Sequence, residues 1–178
     1  MFDTEVTRIK KSTFYLSVKR MMDVVSSILL LIFFSPLIAL ISIAIKLDSK
    51  GPILADTPQR VGRNGKLFKM YKFRSMVENA HEILRENPKY LKLYNVYKKG
   101  SYKLKDDPRV TAVGRFIRKH SLDEIPQALN ILKGEMSLVG PRAYYPDELH
   151  DQQEKYPHTA SSVKVVLSVK PGVTGFWQ

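Results

Sequence analysis

Apolar positions gather in one unbroken run, Val24 to Ile45, 22 residues without a charge. At about 1.5 Å per residue, a straight helix of that length would span a hydrocarbon core of about 30 Å. Ser35-Pro36 divides the run into halves of nearly equal length. A proline there removes one backbone donor and collides with the carbonyl four residues earlier, which predicts a kink. The Ser35 hydroxyl can satisfy a freed carbonyl, making the bend tolerable in lipid. Beyond Lys50 the period changes. Residues 51–76 read as short strands and turns: Gly51-Pro52 opens, Arg63-Asn64-Gly65-Lys66 forms a hairpin turn, and Leu67 to Phe73 alternates apolar with basic. Residues 77–87 read as helical up to Pro88. Lys89 to Lys99 interleaves Tyr90, Leu91, Leu93, Tyr94 and Tyr97 with lysines, the pattern of an interfacial helix or of an ordinary amphipathic surface helix. Asp106-Asp107-Pro108 marks a turn, Val113 to Lys119 a short helix, and Ser121 to Leu132 a further apolar face. Val163 to Val169 alternates like a strand.

Charge bears on how the long run meets a membrane. Arg8, Lys10, Lys11, Lys19 and Arg20 precede it, and Lys46 and Lys50 follow. A spanning helix carries its excess of Lys and Arg on the cytoplasmic side only. A helix–break–helix hairpin that enters and leaves one leaflet would keep both flanks on that side. A kinked span is the alternative, and the flanks alone do not separate the two. Ser42-Ile43-Ala44 superficially fits a cleavage site, but the run is too long for a signal-peptide core and starts after 23 polar-segment residues.

A length of 178 residues suits one domain plus the membrane element. The net charge of +12 points to polyanionic partners: headgroups, phosphorylated substrates or nucleic acid. No recognised nucleic-acid motif accompanies that charge, so nucleic acid is not expected as a partner. The chain has no cysteine, which excludes disulfides and thiolate metal sites, and its four histidines show no ligand spacing.

Candidate chemistry is densest from Arg118 to Gln127. Ser121 and Glu124 fit a capping box, but Pro126 would then fall in the second turn, where it is costly. The helix is therefore kinked or begins later, leaving Asp123 and Glu124 near a helix start. Aligned N–H groups at such an end keep an aspartate ionised and attract phosphate. Neighbouring carboxylates point in different directions, so separate roles are more natural than a shared proton. One suits attack on phosphorus, the other a divalent cation. Lys72, Arg74, Arg109, Arg115, Arg118 and Arg142 supply cations suited to a diphosphate, although any one of them alone reads as a solvated surface charge.

With these motifs the chain resembles the monotopic phosphoglycosyl transferases of the bacterial sugar transferase family. The resemblance runs through Lys19-Arg20-Met21-Met22-Asp23, Ser35-Pro36, Gly51-Pro52, Arg60-Val61-Gly62 and Lys72-Phe73-Arg74-Ser75-Met76. It continues through Asp107-Pro108-Arg109-Val110-Thr111, Ser121-Leu122-Asp123-Glu124, Met136 to Arg142 and Lys170 to Gly175. The segment before Asp107 and Gly134-Glu135-Met136-Ser137 are similar to the branch that transfers hexose 1-phosphates to undecaprenyl phosphate.

The resemblance implies a specific scheme. Asp123 would attack the β-phosphorus of a UDP-sugar, releasing UMP and leaving a sugar-phosphoryl aspartate, which polyprenyl phosphate then attacks. Glu124, with Asp123, would bind Mg²⁺. Lys72, Arg74, Arg118 and Arg142 would hold substrate phosphates, and Lys19 and Arg20 would meet phospholipid headgroups. The break at Ser35-Pro36 matches the family's re-entrant hairpin. The expected fold is thus α+β and mainly helical, with a small antiparallel sheet, a re-entrant hairpin and interfacial amphipathic helices. Its expected divisions are a polar lead (1–18), the hairpin (19–50) and a catalytic domain (51–178) on the cytoplasmic face of the bacterial inner membrane, monotopic. Self-association is left open.

Departures accompany the match. Pro58 stands where a glutamine is common, with Gln59 next door, and Ala143 follows Arg142 where proline is usual. Family members continue past the position of Trp177-Gln178, so the catalytic domain is expected to be short at its C-terminus. The alternative function is a truncated, inactive relative that keeps the membrane anchor and acts through protein or lipid contacts.

Overall fold

The computed structural model describes residues 12–99, 104 and 106–176. Most of the polar lead, with Arg8, Lys10 and Lys11, lies outside the described residues, as do part of the segment before Asp107 and Trp177-Gln178. Along the chain the first elements are α1 (Thr13–Phe33), α2 (Ser35–Asp48), β1 (Arg60–Val61), β2 (Leu67–Phe68), α3 (Ala80–Glu86) and α4 (Leu91–Lys99). Then come α5 (Ala112–Lys119), α6 (Gln127–Lys133), β3 (Ser137–Val139), α7 (Pro146–Lys155), α8 (Ala160–Leu167) and β4 (Gly172–Thr174).

The expected kink is present. α1 and α2 are bent by 62° about a break at Phe34, and Pro36 sits in the first turn of α2, where its fixed φ suits a helix start. Pro36 cannot donate to the Ile32 carbonyl, and the Ser35 hydroxyl does so instead, at 2.8 Å. Among the described residues no single helix is long and apolar enough to cross a membrane; the bent pair reaches that length and composition together. Ser35→Ala should destabilise the detergent-solubilised protein by about 1 kcal/mol, the net worth of one hydrogen bond. A thermal midpoint equal to that of the wild type would show that the Ile32 carbonyl finds another donor.

Contacts divide the chain into two compact units. The first gathers the described residues up to Leu30, Arg60–Phe68, and Leu129 onward. Here β1 and β2 pair antiparallel around the predicted Asn-Gly turn, Asn64 at φ 57° and Gly65 at φ 77°. β3 and β4 pair in parallel, Ser137 opposite Gly172 and Val139 opposite Thr174. This corrects the expectation of a purely antiparallel sheet: α7 and α8 make the crossover that a parallel pair requires. A Cβ on Gly172 would lie 2.1 Å from the Gly140 nitrogen, so only glycine allows the two segments to approach this closely.

The strand expected over Val163–Val169 is corrected as well, because residues 160–167 are helical. Val163 and Leu167, one helical turn apart, pack with Val61, Leu149 and Tyr144. That shared burial outweighs the β preference of the valines.

The second unit comprises Leu31–Gln59 and Lys69–Ala128. Its core is Ile41 and Ile45 of α2 with Phe73 and Ile117, against which Val113, Leu122 and Ile125 pack. The second arm of the bent pair is therefore a foundation of this unit. The alternating Leu67–Phe73 stretch forms strand β2 and an isolated bridge of Phe73 to Leu54, and a second bridge joins Met76 to Val110. On α4, Tyr97 is buried while Leu91 and Val96 are exposed.

Candidate active site

The densest sequence cluster folds as a tight turn. α5 starts at Thr111, whose hydroxyl accepts the Gly114 N–H at 3.0 Å, and Gly114 packs where a Cβ would collide with the Ser75 carbonyl. The helix ends at Lys119, Ser121 adopts a left-handed conformation (φ 54°), and residues Leu122–Glu124 form one 3₁₀ turn. Ser121 makes no side-chain cap, so the capping box does not form. α6 begins only after Pro126, the later start that the proline predicts.

The backbone brings Lys72 to this turn. The Phe73 N–H donates to the Asp123 carbonyl at 2.9 Å, while Ala55 and Arg74 pair with Lys72 and Ile53 on the other side. Lys72 Nζ then lies 2.5 Å from Glu124 Oε1 and 4.0 Å from Asp123 Oδ2. Both carboxylates, expected to diverge, face the same ammonium. The short pairing goes to Glu124, and Asp123 receives no hydrogen bond from a cation among the described residues.

Asp123 is 8% exposed, and its burial pushes the carboxyl above its ordinary value. Lys72 pulls the other way, Glu124 reinforces the rise, and Arg118 opposes it. The shift runs opposite to the one that helix-end N–H groups alone would give, because desolvation outweighs the backbone hydrogen bonding. Arg118, exposed at the end of α5, adds its charge to the Asp123 and Asp107 environments. Lys72, Arg118, Asp123 and Glu124 are thus brought together in one unit. Two adjacent carboxylates form a hard oxygen donor set, and only one Glu124 oxygen is engaged by Lys72, so the residues present fit a Mg²⁺ ion completed by phosphate oxygens.

Other candidate residues are placed differently. Arg74 is buried, and its guanidinium donates to the carbonyls of Ile45, Ser49 and Lys50 at 3.3, 2.6 and 2.7 Å, capping the end of α2. A Cβ on Gly51, whose φ is 116°, would strike that guanidinium at 2.1 Å. Arg109 is buried against Asp107. Arg142 belongs to the other unit, where it pairs with Glu148 at 3.2 Å. Lys19 pairs with Asp23 at 2.6 Å and reaches Ser137, and Arg20 donates to the Ile131 and Leu132 carbonyls.

Asp23, read in the sequence only as the end of the Lys19–Asp23 motif, is 3% exposed and accepts from Ser137 and Leu138. Its i,i+4 spacing from Lys19 was the available clue. Arg60, stacked 3.2 Å over the Tyr145 ring, left no comparable pattern.

The family described as "Bacterial sugar transferase" matches residues 14–178. The chain is 49% identical over 169 residues to the undecaprenyl-phosphate galactose phosphotransferase of Salmonella typhimurium, covering 95% of this chain and 33% of that protein. It is 44% identical to the exopolysaccharide production protein ExoY of Sinorhizobium fredii, covering 90% and 67%. It is 36% identical to the UDP-glucose:undecaprenyl-phosphate glucose-1-phosphate transferase of Escherichia coli, covering 100% and 33%. The chain therefore spans about a third of the Salmonella and E. coli relatives. With a match that extends over nearly the whole chain and takes in the Asp123-Glu124 turn and its lysine, the chain belongs to the bacterial sugar transferase family.

Proposed function

We propose that this chain transfers a sugar 1-phosphate from a UDP-sugar to undecaprenyl or a similar polyprenyl phosphate. This would be the first membrane step of a glycan assembly such as exopolysaccharide or lipopolysaccharide. The observation that carries the reading is the division of labour at the 3₁₀ turn: Glu124 takes the close contact with Lys72, and the Asp123 carboxylate is left for attack.

Asp123 Oδ attacks the β-phosphorus, and the bond from that phosphorus to the oxygen bridging the two phosphates breaks. UMP leaves with that oxygen, and a sugar-phosphoryl aspartate remains. A phosphate oxygen of the polyprenyl phosphate then attacks the same phosphorus and expels the Asp123 carboxylate, giving a polyprenyl diphosphate sugar. Phosphoryl transfer asks chiefly for positioning and charge neutralisation. Lys72 and Arg118 supply fixed positive charge at the donor diphosphate. Mg²⁺, held by Glu124 and Asp123 together with substrate oxygens, would neutralise part of the negative charge of the diphosphate.

The bent pair α1–α2 is read as a re-entrant hairpin in one leaflet, holding the protein monotopically on the cytoplasmic face of the bacterial inner membrane. Exposed apolar side chains support this, among them Met21, Leu29, Phe33, Leu40, Ile43 and Leu47. So do the basic residues on both flanks. The alternative of an inactive relative draws no support from the activities named for the relatives.

The test is intact mass spectrometry of the purified full chain after incubation with UDP-galactose, UDP-glucose and Mg²⁺ but no lipid acceptor. A hexose-phosphate adduct mapping to Asp123 is expected, with UMP released in equal amount, and polyprenyl phosphate should discharge it. Turnover with acceptor but no adduct at any stage would point to direct transfer and remove the covalent step.

A further inference from the structure

Lys170 plays no part in the site above. It lies half-buried between α8 and β4 in the first unit, and its Nζ has no hydrogen-bond or ion-pair partner among the described residues. Burial, then the like charges of Arg20 and Arg63, push its amine below the ordinary value, with Lys19 adding to the repulsion. The carboxylate that opposes them, Asp23, is already engaged: it accepts from Ser137 Oγ, the Leu138 N–H and Lys19 Nζ at 2.8, 3.1 and 2.6 Å. The cluster lacks an anion of its own.

Space and a hydrogen-bond donor for such an anion are both present. Gly134 ends α6, and a methyl group built on it would lie 3.5 Å from Lys170 Nζ; the glycine leaves that volume beside the amine unfilled. Arg20 spends its two terminal nitrogens on the Ile131 and Leu132 carbonyls. Arg63, at the turn between β1 and β2, differs: it is exposed, and its guanidinium has no hydrogen-bond or ion-pair partner among the described residues.

A lysine desolvated beside other cations carries more of its neutral, nucleophilic form. The product that best suits these surroundings is one that turns its charge negative. An acyl group would only neutralise the amine and leave the other cations facing one another. Carbon dioxide does more. The Nζ lone pair attacks the carbon, an N–C bond forms as one C=O electron pair moves to oxygen, and a proton passes from nitrogen to water. The resulting carbamate is a planar carboxylate, the shape that a guanidinium fork pairs with.

We propose that Lys170 is a carbon dioxide acceptor, carboxylated at Nζ to a carbamate whose oxygens pair with Arg63. The modification does not depend on the transfer reaction, and its test involves no turnover.

The experiment equilibrates the detergent-solubilised full chain with isotopically labelled bicarbonate and carbon dioxide. A trialkyloxonium salt then fixes any carbamate as a stable ester, and peptide mapping locates it. Wild-type protein should carry the labelled ester on Lys170, and the exposed Lys164 should carry far less. Arg63→Gln should lower the Lys170 ester about threefold, the scale of a partly exposed ion pair. No ester on Lys170, or equal labelling of Lys170 and Lys164, overturns the proposal, as does undiminished labelling in Arg63→Gln. A second measurement needs no substitution. Acetylation of wild-type Lys170 should slow as bicarbonate is raised while that of Lys164 does not; an unchanged Lys170 rate overturns the proposal.

Discussion

Asp123→Asn is expected to lower UMP release from UDP-sugars by on the order of 10⁴-fold or more, because an amide cannot form the phosphoryl ester on which both proposed half-reactions depend. The same change should leave the fold at least as stable as the wild type. Burial, with help from Glu124, raises the Asp123 carboxyl above its ordinary value despite Lys72 and Arg118. A carboxyl raised by folding favours the folded state below its unfolded value, and that contribution is lost as pH rises through the raised value. At neutral pH the ionised Asp123 is thus a cost to the fold, and asparagine removes it. Thermal unfolding at neutral pH should show an equal or higher midpoint for Asp123→Asn, alongside the loss of activity. Near-wild-type UMP release would place the nucleophile elsewhere, and a midpoint several degrees lower would mean that Asp123 is structural. Glu124→Gln provides the contrast: it keeps the nucleophile, so the donor-only adduct should still form, at a reduced rate.

That trade of stability for reactivity helps to explain which parts of the site were legible in the sequence. Adjacent carboxylates followed by Pro126 announce a broken helix start, and the structure has one. The proline break at Ser35-Pro36 and the Asn64-Gly65 turn are equally local and equally visible. The direction of the Asp123 shift was not visible, because it depends on burial by segments distant in sequence. The hydrogen-bond partners of Arg74 and Arg109 were not visible for the same reason: an arginine in a short basic motif, or after a proline, fits a phosphate cradle and a structural brace alike. Only Ile45, Ser49 and Lys50 around the one, and Asp107 and Ala80 around the other, separate the two uses. Val163–Val169 shows a further limit. Its spacing satisfies both periods, and contacts with Val61 and Leu149 decide for the helix.

Asp107→Asn is expected to destabilise the protein by about 3–5 kcal/mol, a large share of the roughly 5–15 kcal/mol that holds a typical domain together. The Asp107 carboxylate grips Arg109 twice, Oδ1 accepting from Nε at 2.8 Å and Oδ2 from Nη2 at 2.6 Å, and both side chains are almost wholly buried. Arg109 Nη1 also donates to the Ala80 carbonyl, and its own carbonyl accepts the Val77 N–H. The pair therefore fastens the start of α3 to the strand-like segment ahead of α5. Asparagine leaves the guanidinium charged, buried and half-paired, which costs more than the pair was worth. Burial opposes the charge on Asp107, but the Arg109 side chain and backbone outweigh it and hold the carboxyl below its usual range. A carboxyl lowered in this way stabilises the fold above its unfolded value, and that stability is lost as pH falls through the lowered value. Denaturant midpoints measured from neutral to acidic pH should fall steeply for the wild type, with a smaller Asp107-dependent component in Asp107→Asn. The double change Asp107→Leu with Arg109→Met should cost less than Asp107→Asn alone, since it leaves no stranded charge. A double variant as damaged as the sum of its two single changes would show that packing around Arg109, and not its pairing, carries the stability.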